Sequence, residues 1–148
     1  MKRPATVLLL LLMILAMGML AESNSSQVPA HHTAPPKKGE QLPPILPKEQ
    51  LWGPSFQHAY QVHAYELAAR IPAILYQQPC YCYCERIGHS SLHTCYENTH
   101  AAHCGACLKE LYYSYLMHKR GKTAAQIRTG IIAGEWEKVD LETADQIN

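Results

Sequence analysis

The chain has 148 residues, a formal charge of +1 and 47% hydrophobic residues. That fits one small domain and gives no electrostatic footprint for a nucleic-acid partner. Six cysteines in so short a chain point to an exported protein, because disulfides persist in exported proteins and are rare in the reducing cytosol.

The amino terminus carries the matching signal. Lys2 and Arg3 precede an apolar run from Val7 to Leu20, then Ala21-Glu22 and Ser/Asn-rich sequence, the order of a secretory signal peptide over residues 1–21. The run is about 14 residues, short of the roughly 20 that a spanning helix needs. Cleavage after Ala21 leaves a soluble periplasmic or extracellular protein. Retention leaves it anchored, and this segment is the chain's one predicted membrane contact.

Residues 22–51 are rich in proline (Pro29, Pro35, Pro36, Pro43, Pro44, Pro47) among polar groups, which predicts an extended, mobile tether. The folded domain is predicted over 52–141, from Trp52, with 142–148 as a tail. Phe56, Tyr60, Ala64, Leu67, Ala68 and Ile71 recur at helical spacing, which predicts a helix over about 56 to 70 that Pro72 ends or kinks. Pro79 then forces extended backbone into Pro79-Cys80-Tyr81-Cys82-Tyr83-Cys84. On an extended strand the sulfurs of Cys80, Cys82 and Cys84 share one side about 6 to 7 Å apart, which disfavours bridges within the triplet and sends their partners elsewhere.

Gly88-His89, Cys95, His100 and His103 follow, and then Cys104-Gly105-Ala106-Cys107. The second thiol pair opens an amphipathic helix through Leu108, Leu111, Tyr112, Tyr115 and Leu116 that Gly121 stops. Its first-turn position predicts lowered thiol pKa values. No Cys-x-x-Cys-His occurs, which argues against covalent haem, and a lone Cys-x-x-Cys is not a zinc ribbon. Thr123 to Gln126 has the form of a capping box for a short helix through Ile127, Ile131 and Ile132, ending near Gly134 and folding back as a hairpin. Trp136, Val139 and Leu141 are predicted to cover its open end.

The fold class that follows is mainly α: a small helical domain with a Cys-rich loop clamped against helix ends. No Gly-rich phosphate loop is present, so no nucleotide cofactor is expected. Three chemistries remain open for the six thiols. The first is a soft-metal site, copper or zinc, with Cys80, Cys82, Cys84, Cys95, Cys104, Cys107, His89, His100 and His103 as candidate ligands. The second is thiol redox chemistry on a partner protein, with Cys104 and Cys107 as the reactive pair. The third is a set of structural disulfides. The metal reading requires Cys80, Cys82 and Cys84 to converge with Cys104 and Cys107.

The motif string from Pro79 to Cys84, with Gly88-His89, Cys95, His100 and Cys104-x-x-Cys107, resembles the bacterial family named for its PCYCGC or CYCXC motif, over about residues 56 to 140. Members are exported proteins or lipoproteins without an established activity, and some carry selenocysteine within the CYC motif. That resemblance implies redox-active or metal-binding thiols rather than staples. Two departures stand out: Tyr83 occupies the place of the motif's Gly, and the lipoprotein cysteine is missing.

Overall fold

The computed structural model describes residues 27–148, so the signal peptide read at 1–21 and the first residues of the proline-rich stretch lie outside the described residues. Among the described residues four α-helices form: α1 over Ala59–Ala68, α2 over Pro72–Leu75, α3 over Gly105–Lys119 and α4 over Ala124–Ile132. Six 3-10 turns complete the described residues, at Lys48–Gln50, Cys84–Ile87, Thr94–Tyr96, Thr99–His103, Glu135–Lys138 and Leu141–Gln146, and no strand occurs among them. The fold is thus mainly helical with a Cys-rich loop, as the periodicity predicts. No helix among the described residues is long and apolar enough to cross a membrane.

α1 begins three residues later than its apolar spacing suggests. Gly53 and Pro54 open a turn in which the Phe56 N–H donates to the Gly53 carbonyl at 3.1 Å, so Phe56 reaches the core from outside the helix. His58 then caps α1 in extended conformation, and Gln61 reaches back to its N–H at 2.8 Å, a reciprocal cap that satisfies otherwise orphaned donors. Pro72 does more than stop a helix. Ile71 before it is kept out of the helical region, at φ −131° and ψ 40°, and Pro72 itself takes the first position of α2, where its missing N–H costs nothing.

The core lies between α1 and α3. Ala64, Tyr65, Leu67 and Ala68 of α1 meet Leu108, Leu111, Tyr112 and Tyr115 of α3, and Leu75 and Leu92 close the layer, all at or near zero exposure. Burial of each such leucine stabilises the fold by about 1.5–3 kcal/mol. α3 ends at Gly121, whose φ of +76° lets its N–H reach the His118 carbonyl while the Lys122 N–H reaches Met117, closing the last turn. The predicted capping box is present: the Gln126 N–H donates to the Thr123 hydroxyl and the Gln126 side chain returns to the Thr123 N–H. α4 folds back on α3 through Ile127 and Ile131 against Tyr113, with Met117, Trp136 and Val139 at the margin. Gly130 is required there, since a Cβ would overlap the Tyr113 hydroxyl.

Residues 27–51 run along this body. Pro29 and Leu51 are buried, the Leu46 N–H donates to the Tyr96 carbonyl at 2.9 Å, and the His32 ring stacks on Tyr76 at 3.7 Å. At the other end Ala144 is buried against α1 from the last 3-10 turn.

Candidate metal centre

The backbone of Cys80 to Cys84 is a turn rather than the extended strand its sequence suggests. The Tyr83 N–H donates to the Cys80 carbonyl at 3.1 Å, and Tyr83 adopts a left-handed φ of +55°, which places Cys84 at the head of a 3-10 turn closed by Gly88 at φ +91°. Tyr83 is the one non-glycine residue at positive φ among the described residues. An L side chain there costs roughly 1–2 kcal/mol, whereas glycine would sit without strain.

The turn draws the sulfurs together instead of spacing them along a line. Cys80 Sγ lies 3.3 Å from Cys82 Sγ and 3.2 Å from Cys107 Sγ, and Cys82 Sγ lies 3.7 Å from Cys107 Sγ. A second pair, Cys84 and Cys95, is 3.2 Å apart, with His89 Nδ1 at 3.3 Å from Cys95 Sγ. His100 Nε2 approaches Cys82 Sγ at 3.8 Å and its ring meets that of His89 edge to face at 4.7 Å. No pair is bridged, and all six cysteines are free thiols. Cys80, Cys84, Cys95 and Cys107 are buried, while Cys82, His89 and His100 form the half-buried rim.

Each donor is held by ordinary fold chemistry. Cys107 stands on the first turn of α3, whose entry is tied to the Cys95 segment by the Tyr96 hydroxyl donating to the Cys107 carbonyl at 2.9 Å. Asn98 caps the turn that carries His100, accepting its N–H at 2.8 Å, and the Tyr65 hydroxyl donates to the Asn98 carbonyl at 2.7 Å. The loop itself is pinned from below: the Tyr81 N–H donates to Glu110 Oε1 of α3 at 2.7 Å.

Three overlapping sets of four donors satisfy metal-ligand spacing, each with its atoms within 4.8 Å of one another: Cys80, Cys82, Cys84, Cys95; Cys82, Cys95, His100, Cys107; and Cys84, His89, Cys95, His100. Ligands around a tetrahedral ion with bonds of about 2.3 Å sit roughly 3.8 Å apart, so the observed spacings need little adjustment to accept one. The donor set is sulfur and imidazole, which suits soft or borderline ions and not oxygen-seeking ones.

Seven of the nine predicted ligands meet in this way, and two do not. His103 is exposed, with its Nε2 2.9 Å from the Ser55 hydroxyl. Cys104 is the N-cap residue of α3, half-buried beside Cys82 and Cys107 but in none of the three sets.

Packed thiols cannot all ionise, and the cluster divides the proton load. Hydrogen bonds from the thiols of Cys104, Cys107 and Cys80 hold Cys82 well below the usual thiol range, and those from Cys80 and Cys95 bring Cys84 down to about 3. Cys80 and Cys107 are driven the other way, Cys80 chiefly by its bonds to Cys107 and Cys82, and Cys107 chiefly by its bond to Cys104. Cys104 is also raised: its bond with Cys107 pulls downward, but its bond to Cys82 and burial prevail. The lowered pKa values predicted for Cys104 and Cys107 from the helix end are therefore corrected. At α3 the neighbouring thiols and the loss of water outweigh the dipole, and the thiolate character sits at Cys82 and Cys84.

Glu110 is the residue that sequence reasoning missed. It is fully buried, its Oε2 has no partner, and burial pushes its carboxyl up to about 8 against the opposing Tyr81 N–H bond. Its position three residues after Cys107, on the same helix face and amid apolar neighbours, was the available signal.

No protein-family model, curated protein or solved structure matches the chain.

Proposed function

We propose that this chain is an exported soft-metal-binding protein that holds copper(I) or zinc through the thiolates of Cys80, Cys82, Cys84, Cys95 and Cys107 with His89 and His100. The single observation that carries the reading is the convergence of these donors at 3.2–3.8 Å from three separate segments of chain. Packing alone gives no reason to gather five sulfurs and two imidazoles in a core otherwise built of Leu, Ile and Tyr. Export rests on the signal-peptide pattern and the cysteine content, and the likeness to the CYCXC-motif family supports thiols that work rather than staple.

In this role the residues divide the labour. Buried Cys95 and Cys107 set the floor of the site, Cys82 at the rim presents a ready thiolate, and Glu110 fixes the loop through Tyr81 without being a ligand. A bound soft ion would supply charge compensation and cross-linking of the loop to α3. Elemental analysis with thiol counting, on protein from an export-competent host, tests this: near-stoichiometric copper or zinc with free thiols after stripping is expected. No metal and no free thiols would overturn it. His89→Ala with His100→Ala should weaken retention by more than about tenfold, whereas His103→Ala should leave it unchanged.

A second reading has an observation of its own. Cys82 is a half-exposed thiolate with Cys80 3.3 Å away, the arrangement of a nucleophile with a resolving partner. Its sulfur would attack a partner protein's disulfide, releasing one partner thiolate, and Cys80 would displace the second as a Cys80–Cys82 disulfide formed. The partner gains two electrons and this chain loses them. The reactive residue would then be Cys82, not Cys104 or Cys107, and Cys82→Ser would abolish exchange while His89→Ala would not.

A further inference from the structure

The seven donors are too many for one ion and are arranged for two. Soft ions of the zinc class take about four protein ligands. The donors accommodate two such sets sharing one sulfur, with Cys84 also within ligand spacing of Cys80 and Cys82 and His100 within ligand spacing of Cys82 and Cys107. Cys80, Cys82 and Cys107 lie mutually within 3.7 Å, and each lies within ligand spacing of Cys95. Cys84, His89 and His100 form the other group, again with Cys95. Cys95 alone belongs to all three overlapping sets, and it is fully buried between the two groups. A thiolate sulfur has lone pairs enough to bind two ions, whereas an imidazole nitrogen has one, so the shared donor must be a cysteine.

We propose that the site is dinuclear, with Cys95 Sγ bridging one ion held by Cys80, Cys82 and Cys107 and a second held by Cys84, His89 and His100. The proposal rests on the metal-binding reading above and extends it to stoichiometry and topology.

Donor count supports two ions over one. A buried thiol that binds no ion keeps its proton, so one four-coordinate ion would leave three of the seven donors unused, whereas two such ions sharing Cys95 engage all seven. Among the described residues no Lys or Arg hydrogen-bonds to any of the sulfurs, so a bound cation meets no competing one there. Two four-donor sets of sulfur and imidazole match a divalent d10 ion such as zinc. On binding, each thiol releases its proton to solvent as the metal–sulfur bond forms, with no change of oxidation state.

The test is titration of the full-length, reduced, metal-free chain with zinc(II) and, separately, copper(I), read by native mass spectrometry. Two zinc ions per chain are expected at saturation. Cys84→Ala and Cys107→Ala should each retain one, with α-helical circular dichroism unchanged. Cobalt(II) reports the bridge: two cobalt ions sharing a thiolate couple magnetically, so the moment per ion should fall between low and full loading. Saturation at one ion per chain, or a moment per cobalt that stays constant at two, would overturn the bridged pair and leave the metal-binding reading standing. No binding of either metal would overturn both. Saturation with copper but not zinc would overturn the divalent assignment.

Discussion

The two halves of α3 meet the rest of the protein in different ways. Its first turns carry Cys107 and Glu110 to a loop held by hydrogen bonds, Tyr81 N–H to Glu110 and Tyr96 hydroxyl to the Cys107 carbonyl. Its later turns present Tyr113, with Met117 beside it, to Ile127 and Ile131 of α4, a contact made mainly of apolar surface. The second interface carries one unpartnered buried polar atom, Trp136 Nε1, in otherwise apolar packing. The first gathers packed thiols, a strained Tyr83 and the unpartnered Glu110 Oε2, and its donors are the ones spaced to hold an ion.

The largest expected effect separates the halves directly. Zinc at a thousandfold excess over its dissociation constant should stabilise the fold by about 4 kcal/mol, and chelation should remove that gain. In hydrogen exchange the added protection should concentrate in residues 80–107 and be small in α4. Uniform protection across both would mean that the halves are one cooperative unit. Next in size, Ile131→Ala opens a cavity at the apolar interface and should cost about 3 kcal/mol in denaturant unfolding, with metal stoichiometry unchanged. Loss of metal in that variant would erase the distinction.

Tyr113→Phe probes a polar contact at the edge of the apolar interface, the hydroxyl that donates to Glu135. It should cost about 1.5 kcal/mol at neutral pH. Burial first, and then that bond, raises the Tyr113 pKa to about 12. A tyrosine raised in this way contributes stability that is full below its ordinary value near 10 and is lost as the pH climbs through about 12. The gap between wild type and Tyr113→Phe should therefore close over that window in alkaline unfolding curves, and a constant gap would count against the shift. The smallest effect belongs to the strained loop: Tyr83→Gly should raise stability by about 1 kcal/mol in the metal-free chain. An unchanged melting temperature would count against strain at Tyr83 and credit its edge contact with Tyr81.

Much of the helical half was legible in the chain. The Thr123–Gln126 box, the Gly121 stop and the apolar spacings of α1 and α3 are signals carried within a few residues, and each element formed where they point, to within a turn. The site was legible as a list of donors but not as a shape. Cys80, Cys82 and Cys84 were read on a strand because Pro79 favours extended backbone, and nothing local announces that Tyr83 will accept a left-handed conformation usually reserved for glycine.

What the sequence by itself determined is the helical class, the caps and the supply of soft donors, because these follow from periodicity and side-chain chemistry over short windows. Only the tertiary structure decided that Cys107 meets Cys80 across 27 positions, that Cys95 lies between two donor groups, that His103 turns to Ser55 and that Glu110 lies buried beneath the loop. Those outcomes depend on how α3 docks against α1 and on which backbone groups the loop must satisfy there. Contacts of that kind are set by the burial of the whole core, to which no single stretch of sequence holds the key.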